Sequence, residues 1–160
     1  MCVFFQLGNK QMIELGARLA MALQCETSDR ITFDRKHYFY PDTPKNYQIT
    51  QHSNPIGREG RIALPSGNAV GISRIQIEED TAKVIYTTGA MTEASKNMVD
   101  SEYALLDFNR AGVPLLEVVS KPDIRDAAQA VEFAKEIQAM CRFLDVSNCN
   151  MEEGSMRLDV

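Results

Sequence analysis

Two carboxylates stand out because of the faces from which they project. In Ile75-Gln76-Ile77-Glu78-Glu79-Asp80, strand alternation groups Ile75, Ile77 and Glu79 on one face and Gln76, Glu78 and Asp80 on the other. In Pro114–Ser120 it groups Glu117 with Leu115 and Val119, opposite Leu116 and Val118. An ionised carboxylate on an apolar strand face is costly unless it is paired, hydrogen-bonded or bound to a cation. Two such acids on neighbouring strands would suit Mg²⁺, which is held by one or two carboxylates plus waters and substrate phosphates. The alternative, open at this point, is a pair of strand-end acids answered by Arg or Lys.

Asp34-Arg35-Lys36-His37-Tyr38-Phe39-Tyr40 interleaves cations with rings, and Lys45-Asn46-Tyr47-Gln48 follows a Pro-rich turn. Cations meet phosphates while rings stack on bases, so this patch suits a nucleotide or an RNA end. An amphipathic edge strand with half-buried aromatics would give the same composition. Glu153, Ser155, Arg157 and Asp159 alternate on one strand face, the pattern of a solvated surface. No Walker A loop and no GxGxxG occurs. Cys2, Cys25, Cys141 and Cys149 form no CxxC pair, and His37 and His52 join no nucleophilic triad or metalloprotease helix, so neither a zinc signature nor covalent catalysis has local support.

The elements that must position these groups follow from periodicity. Met12, Leu15, Leu19 and Ala22 predict a helix capped by Asn9. Ala130, Phe133, Ile137, Met140 and Leu144 predict a second, opened by an Asp126/Gln129 capping box. Both stripes read as core-facing surfaces. Between them, Pro41, Pro44, Pro55, Gly57, Gly60, Pro65 and Gly67 punctuate a turn-rich stretch. Val70, Ile72, Ile75 and Ile77 predict a strand with a bulge at Ser73–Arg74, and Lys83–Thr87 its hairpin partner or continuation. Thr88–Asp100 is the candidate mobile loop, and Tyr103–Phe108 and Pro114–Ser120 are two further strands. Two main helices around a mainly antiparallel sheet predict an α+β domain, not a doubly wound parallel sheet. The 160 residues suit one domain, while a helix close to Met1 and a strand-like pattern at 155–160 suggest a piece of a larger one.

Seventeen Lys plus Arg against twenty-two Asp plus Glu leave a net charge of −5. A plain nucleic-acid-binding module is disfavoured, and any RNA contact needs a local basic patch. No run approaches the ~18 apolar residues of a membrane span, and MCVFFQLG lacks the flanks of a secretory signal.

The runs Phe33–Asp42 and Pro44–Ile49 resemble the B subunits of the aspartyl/glutamyl-tRNA amidotransferases, the GatB/GatE family. So do Ile77–Asp80, Asp107–Glu117, Pro122–Arg125 and Met151–Arg157, in the same order and spacing. The resemblance spans residues 33–157. It implies a partial catalytic "cradle" domain over residues 1–160, similar in fold to glutamine synthetase and guanido kinases, with the helical and tRNA-binding tail domains absent. It also implies a ligase that uses ATP and Mg²⁺ to phosphorylate the side-chain carboxylate of Glu on tRNA(Gln) or Asp on tRNA(Asn). Ammonia released from glutamine by the amidase subunit, the A component, then displaces the phosphate, and a small third subunit, the C component, joins the two. The implied partners are those two subunits and misacylated tRNA, with no DNA and no membrane, in bacterial cytoplasm or, alternatively, an organelle.

By this resemblance Glu79 and Glu117 are catalytic, Mg²⁺-holding acids, and Lys36, Lys45, Arg157 and Asp159 line the ammonia route. Residues contacting nucleotide or RNA are not assigned by it. The family's upstream strand, with a Glu and a His that complete the metal site, has no counterpart before Lys10. Leu158 stands where a Cys is usual and Lys121 where an acid is usual. The expectation is therefore a chain truncated at both ends and unable to perform the full reaction alone. Two other classes stay open: a non-catalytic assembly or tRNA-binding piece, and an ATP-dependent carboxylate–amine ligase with another acceptor.

Overall fold

Asn9 starts α1 (Lys10–Ala22) by accepting the Gln11 N–H at 2.8 Å, which satisfies one of the amides a helix start leaves without a partner. Asp126 does the same for α2 (Ala127–Phe143) through the Gln129 N–H at 2.9 Å. The Gln129 side chain returns a bond to the Arg125 N–H at 2.9 Å, a reciprocal pair displaced by one residue from the usual capping box. The computed structural model describes residues 9–87 and 103–159, so the loop expected at Thr88–Asp100 lies outside the described residues.

The chain divides into two compact units: residues 1–33, 51–77 and 116–160, and residues 34–50 with 78–115. The first unit holds α1, α2 and a sheet of β1 (Glu26–Thr27), β4 (Gly57–Ala63), β5 (Ala69–Glu79, to Ile77) and β8 (Pro114–Ser120, from Leu116), in the order β1-β4-β5-β8. Leu19, Leu23, Ile72, Ile75, Ile77, Phe133 and Ile137 build its core. Each such side chain contributes about 1.5–3 kcal/mol on burial. The expected α1 stripe is rotated. Gly16, Leu19, Ala20 and Leu23 are buried, while Leu15 and Ala22 are only partly so. A Cβ at Gly16 would meet Ile56 at 3.1 Å and Leu116 at 3.3 Å, so α1 lays its small-residue side against the sheet.

β4 runs through a stretch that its glycines mark as turns in the sequence. Those glycines serve close approach: a Cβ at Gly60 would lie 2.5 Å from the Leu23 carbonyl oxygen, and one at Gly57 would lie 2.9 Å from the Ala20 Cβ. The β4–β5 ladder is antiparallel, with Gly57 opposite Ile75 and Gly60 opposite Ile72. The expected bulge at Ser73–Arg74 is absent, since the register is the same on both sides. Instead both strands change their buried parity together, around Glu59 at φ 51°.

The second unit holds two antiparallel pairs. β2 (Asp34–His37) faces β3 (Tyr47–Thr50), with Asp34 opposite Thr50 and His37 opposite Tyr47. β6 (Lys83–Thr87) pairs with β7 (Tyr103–Asp107), so of the two expectations, a hairpin partner of β5 or its continuation, the first does not hold. A 3₁₀ turn, Phe108–Arg110, follows β7. The Asp80 carbonyl oxygen accepts the Gly112 N–H at 2.9 Å, and its carboxylate pairs with Arg110 at 3.0 Å. The architecture is α+β with two helices and mainly antiparallel sheets. The strand expected near the end of the chain does not form among the described residues: 151–155 are turns, with Gly154 at φ 77°, and 156–159 have no regular structure. Among the described residues no helix is long and apolar enough to cross a membrane.

Candidate functional site

Glu79 ends β5 and belongs to the second unit, where β3 and the turn before it supply its partners. Its Oε1 accepts from the Lys45 ammonium and from the Ile49 N–H at 2.9 Å. The ion pair is well shielded, with 23% of the Lys45 and 13% of the Glu79 side chain exposed. Sequence alternation therefore identifies a sequestered carboxylate at this position, and Lys45 is the cation that answers it, as the alternative of a strand-end acid paired with Arg or Lys has it. The Glu79 Oε2 accepts no hydrogen bond from the described residues.

Glu117 lies in the first unit and differs in burial. Leu116 and Val118 pack toward the core while Glu117 and Leu115 are exposed and Val119, on their face, is half-buried, so Glu117 itself faces outward. One Glu117 oxygen accepts from the Gln76 amide, whose own oxygen accepts the Arg74 Nε–H at 2.8 Å. Glu79 and Glu117 thus fall in different units, and each is held within its own.

As donors for Mg²⁺, both acids offer hard carboxylate oxygens: among the described residues one oxygen of each is engaged by protein partners and the other is not, and a carboxylate has about four lone-pair sites. Each of them fits that cation. No group of three or more His, Cys, Asp or Glu side chains gathers among the described residues.

Of the route residues, Lys45 engages Glu79, and Arg157 pairs with Asp159 at 3.3 Å on an exposed segment. Lys36 is exposed, with its ammonium 5.8 Å from the Tyr38 ring. The basic–aromatic patch is centred on Tyr47. Lys45 lies 4.8 Å and Arg35 4.9 Å from its ring centroid, and His37 is tilted against it at 5.5 Å. Each cation–π contact is worth ~0.5–1 kcal/mol at an exposed site. Phe39 and Tyr40 are exposed, not half-buried as an edge strand would have them.

Sequence reasoning missed the polar side chains around the acids: Gln48, Thr50 and Glu78 beside Glu79, and Arg74 and Gln76 beside Glu117. The one signal for them was the polar alternation of Gln48 and Thr50 in Tyr47-Gln48-Ile49-Thr50. An open depression of about 570 Å³ lined by Lys10, Glu14, Arg18 and Asp145 includes none of the candidate residues.

Residues 6–160 match the family model described as the GatB/GatE catalytic domain. The chain is 41% identical to the B subunit of an aspartyl/glutamyl-tRNA(Asn/Gln) amidotransferase of Nostoc punctiforme and 43% identical to that of Geobacillus kaustophilus. It is 42% identical to the B subunit of a glutamyl-tRNA(Gln) amidotransferase of the organellar chromatophore of Paulinella chromatophora. These alignments cover 94–95% of this chain and 30–31% of each relative, so the chain spans about a third of the length of the relatives it matches. With the family model covering nearly the whole chain and the motif residues in order, the chain belongs to the GatB/GatE catalytic-domain family.

Proposed function

We propose that this chain is the catalytic-domain part of the B subunit of a glutamine-dependent tRNA amidotransferase. The complete protein phosphorylates the side-chain carboxylate of Glu on tRNA(Gln) or Asp on tRNA(Asn) with ATP, and ammonia from the amidase subunit displaces the phosphate. The small third subunit holds the other two together, in the cytoplasm of a bacterium or in an organelle like that of the Paulinella relative. The domain is a partial cradle related in fold to glutamine synthetase and guanido kinases, with helical and tail domains outside this chain.

The observation that carries the reading is the sequestered Glu79 carboxylate, held through one oxygen in a chain whose relatives are tRNA amidotransferase B subunits. Glu79 and Glu117 would hold Mg²⁺, which when bound neutralises charge on the transferring phosphoryl group. Lys45 pairs with the Glu79 carboxylate and orients it. Lys36, Lys45, Arg157 and Asp159 are the polar groups offered to ammonia.

The Lys45–Glu79 pair and the Tyr47 patch also suit a second reading, a non-catalytic piece that docks RNA. The test replaces Glu79 by Gln in the full-length protein joined to its amidase and small partners, and follows tRNA-dependent phosphate release and tRNA binding. Loss of phosphate release with tRNA affinity kept supports the ligase reading. Loss of both, or of neither, supports the second. Turnover on free glutamate would point to a ligase with another acceptor.

A further inference from the structure

Adjacent acids at the end of β5 are treated differently by their surroundings. Both Glu78 oxygens are taken by neutral donors: Oε1 by the Thr50 hydroxyl and Oε2 by the Gln48 amide at 3.3 Å. The same Gln48 nitrogen donates to the Glu79 backbone oxygen at 2.8 Å. Gln48 and Thr50 are only 8% and 6% exposed, so these bonds are shielded from water. Among the described residues Glu79 by contrast uses only Oε1, for Lys45 and the Ile49 N–H.

Pinning the carbonyl of Glu79 and the side chain of the residue before it restricts the backbone on either side of the Glu79 Cα, and so the direction of its carboxylate. The opposite faces that alternation gives Glu78 and Glu79 become two roles, one anchoring and one presented.

We propose that Gln48, Thr50 and Glu78 form an anchor of positioning residues that holds Glu79 with its Oε2 presented to a divalent cation. This rests on the reading of Glu79 as a Mg²⁺ ligand. The anchor touches neither metal nor substrate. It acts through Glu79, as outer groups that orient metal ligands do.

The test titrates Mn²⁺, as a paramagnetic stand-in for Mg²⁺, into the full-length protein in complex with its partner subunits, and reads bound metal by electron paramagnetic resonance. Thermal midpoints are measured alongside. Thr50→Val and Gln48→Leu should each weaken Mn²⁺ binding about tenfold, the lower end of the cost of losing such an orienting partner. Thr50→Ser, which keeps the hydroxyl, should restore binding to wild type, and Glu79→Gln should lose the site. The anchor is overturned, with the Glu79 reading intact, if Glu79→Gln loses Mn²⁺ while Thr50→Val and Gln48→Leu bind it as wild type, whatever their midpoints. Wild-type Mn²⁺ binding by Glu79→Gln overturns the Glu79 reading and the anchor with it. Should Gln48→Leu fail to fold, the Thr50→Val and Thr50→Ser pair decides.

Discussion

Replacing Lys45 by Met leaves the Glu79 carboxylate largely buried, with the Ile49 N–H still donating to it. A lost hydrogen bond to a charged group costs about 2 kcal/mol, so urea unfolding of Lys45→Met should show a loss of that size. The double variant Lys45→Met/Glu79→Gln should recover part of it, because the uncompensated charge is gone. Cys141 offers a pH test. Burial, reinforced by the neighbouring Cys149, pushes its thiol up to about 12 from 9.0. Between these values the unfolded chain releases a proton that the folded chain retains. The thiol's contribution to stability is therefore full below pH 9 and is lost as pH rises toward 12. Cys141→Ala should flatten the fall of stability over that range, and iodoacetamide at pH 8 should label Cys141 only after unfolding.

At the scale of elements, β4 is the most demanding piece. A methyl group at Gly60 would press on the Leu23 carbonyl oxygen and the Cys25 sulfur, at the place where Arg61 donates its N–H to Leu23 at 2.8 Å. The Leu23 oxygen belongs to the backbone and cannot swing aside. Gly60→Ala should destabilise the chain by about 3 kcal/mol, the upper part of the usual overpacking range, as measured by chemical denaturation. Gly67, at φ 87° with open space around its Cβ position, is a control in which backbone strain acts without crowding. Gly67→Ala should cost about 1 kcal/mol.

For the molecule as a whole, the exposed position of Glu117 separates stability from activity. Glu117→Gln should leave the unfolding free energy within about 0.5 kcal/mol, as ordinary surface substitutions do. The same change should abolish tRNA-dependent phosphate release in the complete assembly if Glu117 holds Mg²⁺. A stable variant with full activity would remove Glu117 from the site. The sequence alone determined the two helices and their Asn9 and Asp126 caps, the α+β class and the family, because periodicity, capping chemistry and motif order are local and survive without coordinates. It also identified Glu79 as a sequestered acid, since a period of two along β5 requires no knowledge of the partner strand. Tertiary structure alone decided that Gly57 and Gly60 belong to a strand, that α1 turns its Gly16 side inward, and that β6 pairs with β7. It alone decided that Glu117 faces outward, and that Lys45, Gln48 and Thr50 converge on Glu78 and Glu79 from some thirty positions earlier. Alternation tells which residues share a face. Which face meets the core, and which distant side chain answers a charge, depends on packing between segments far apart in sequence.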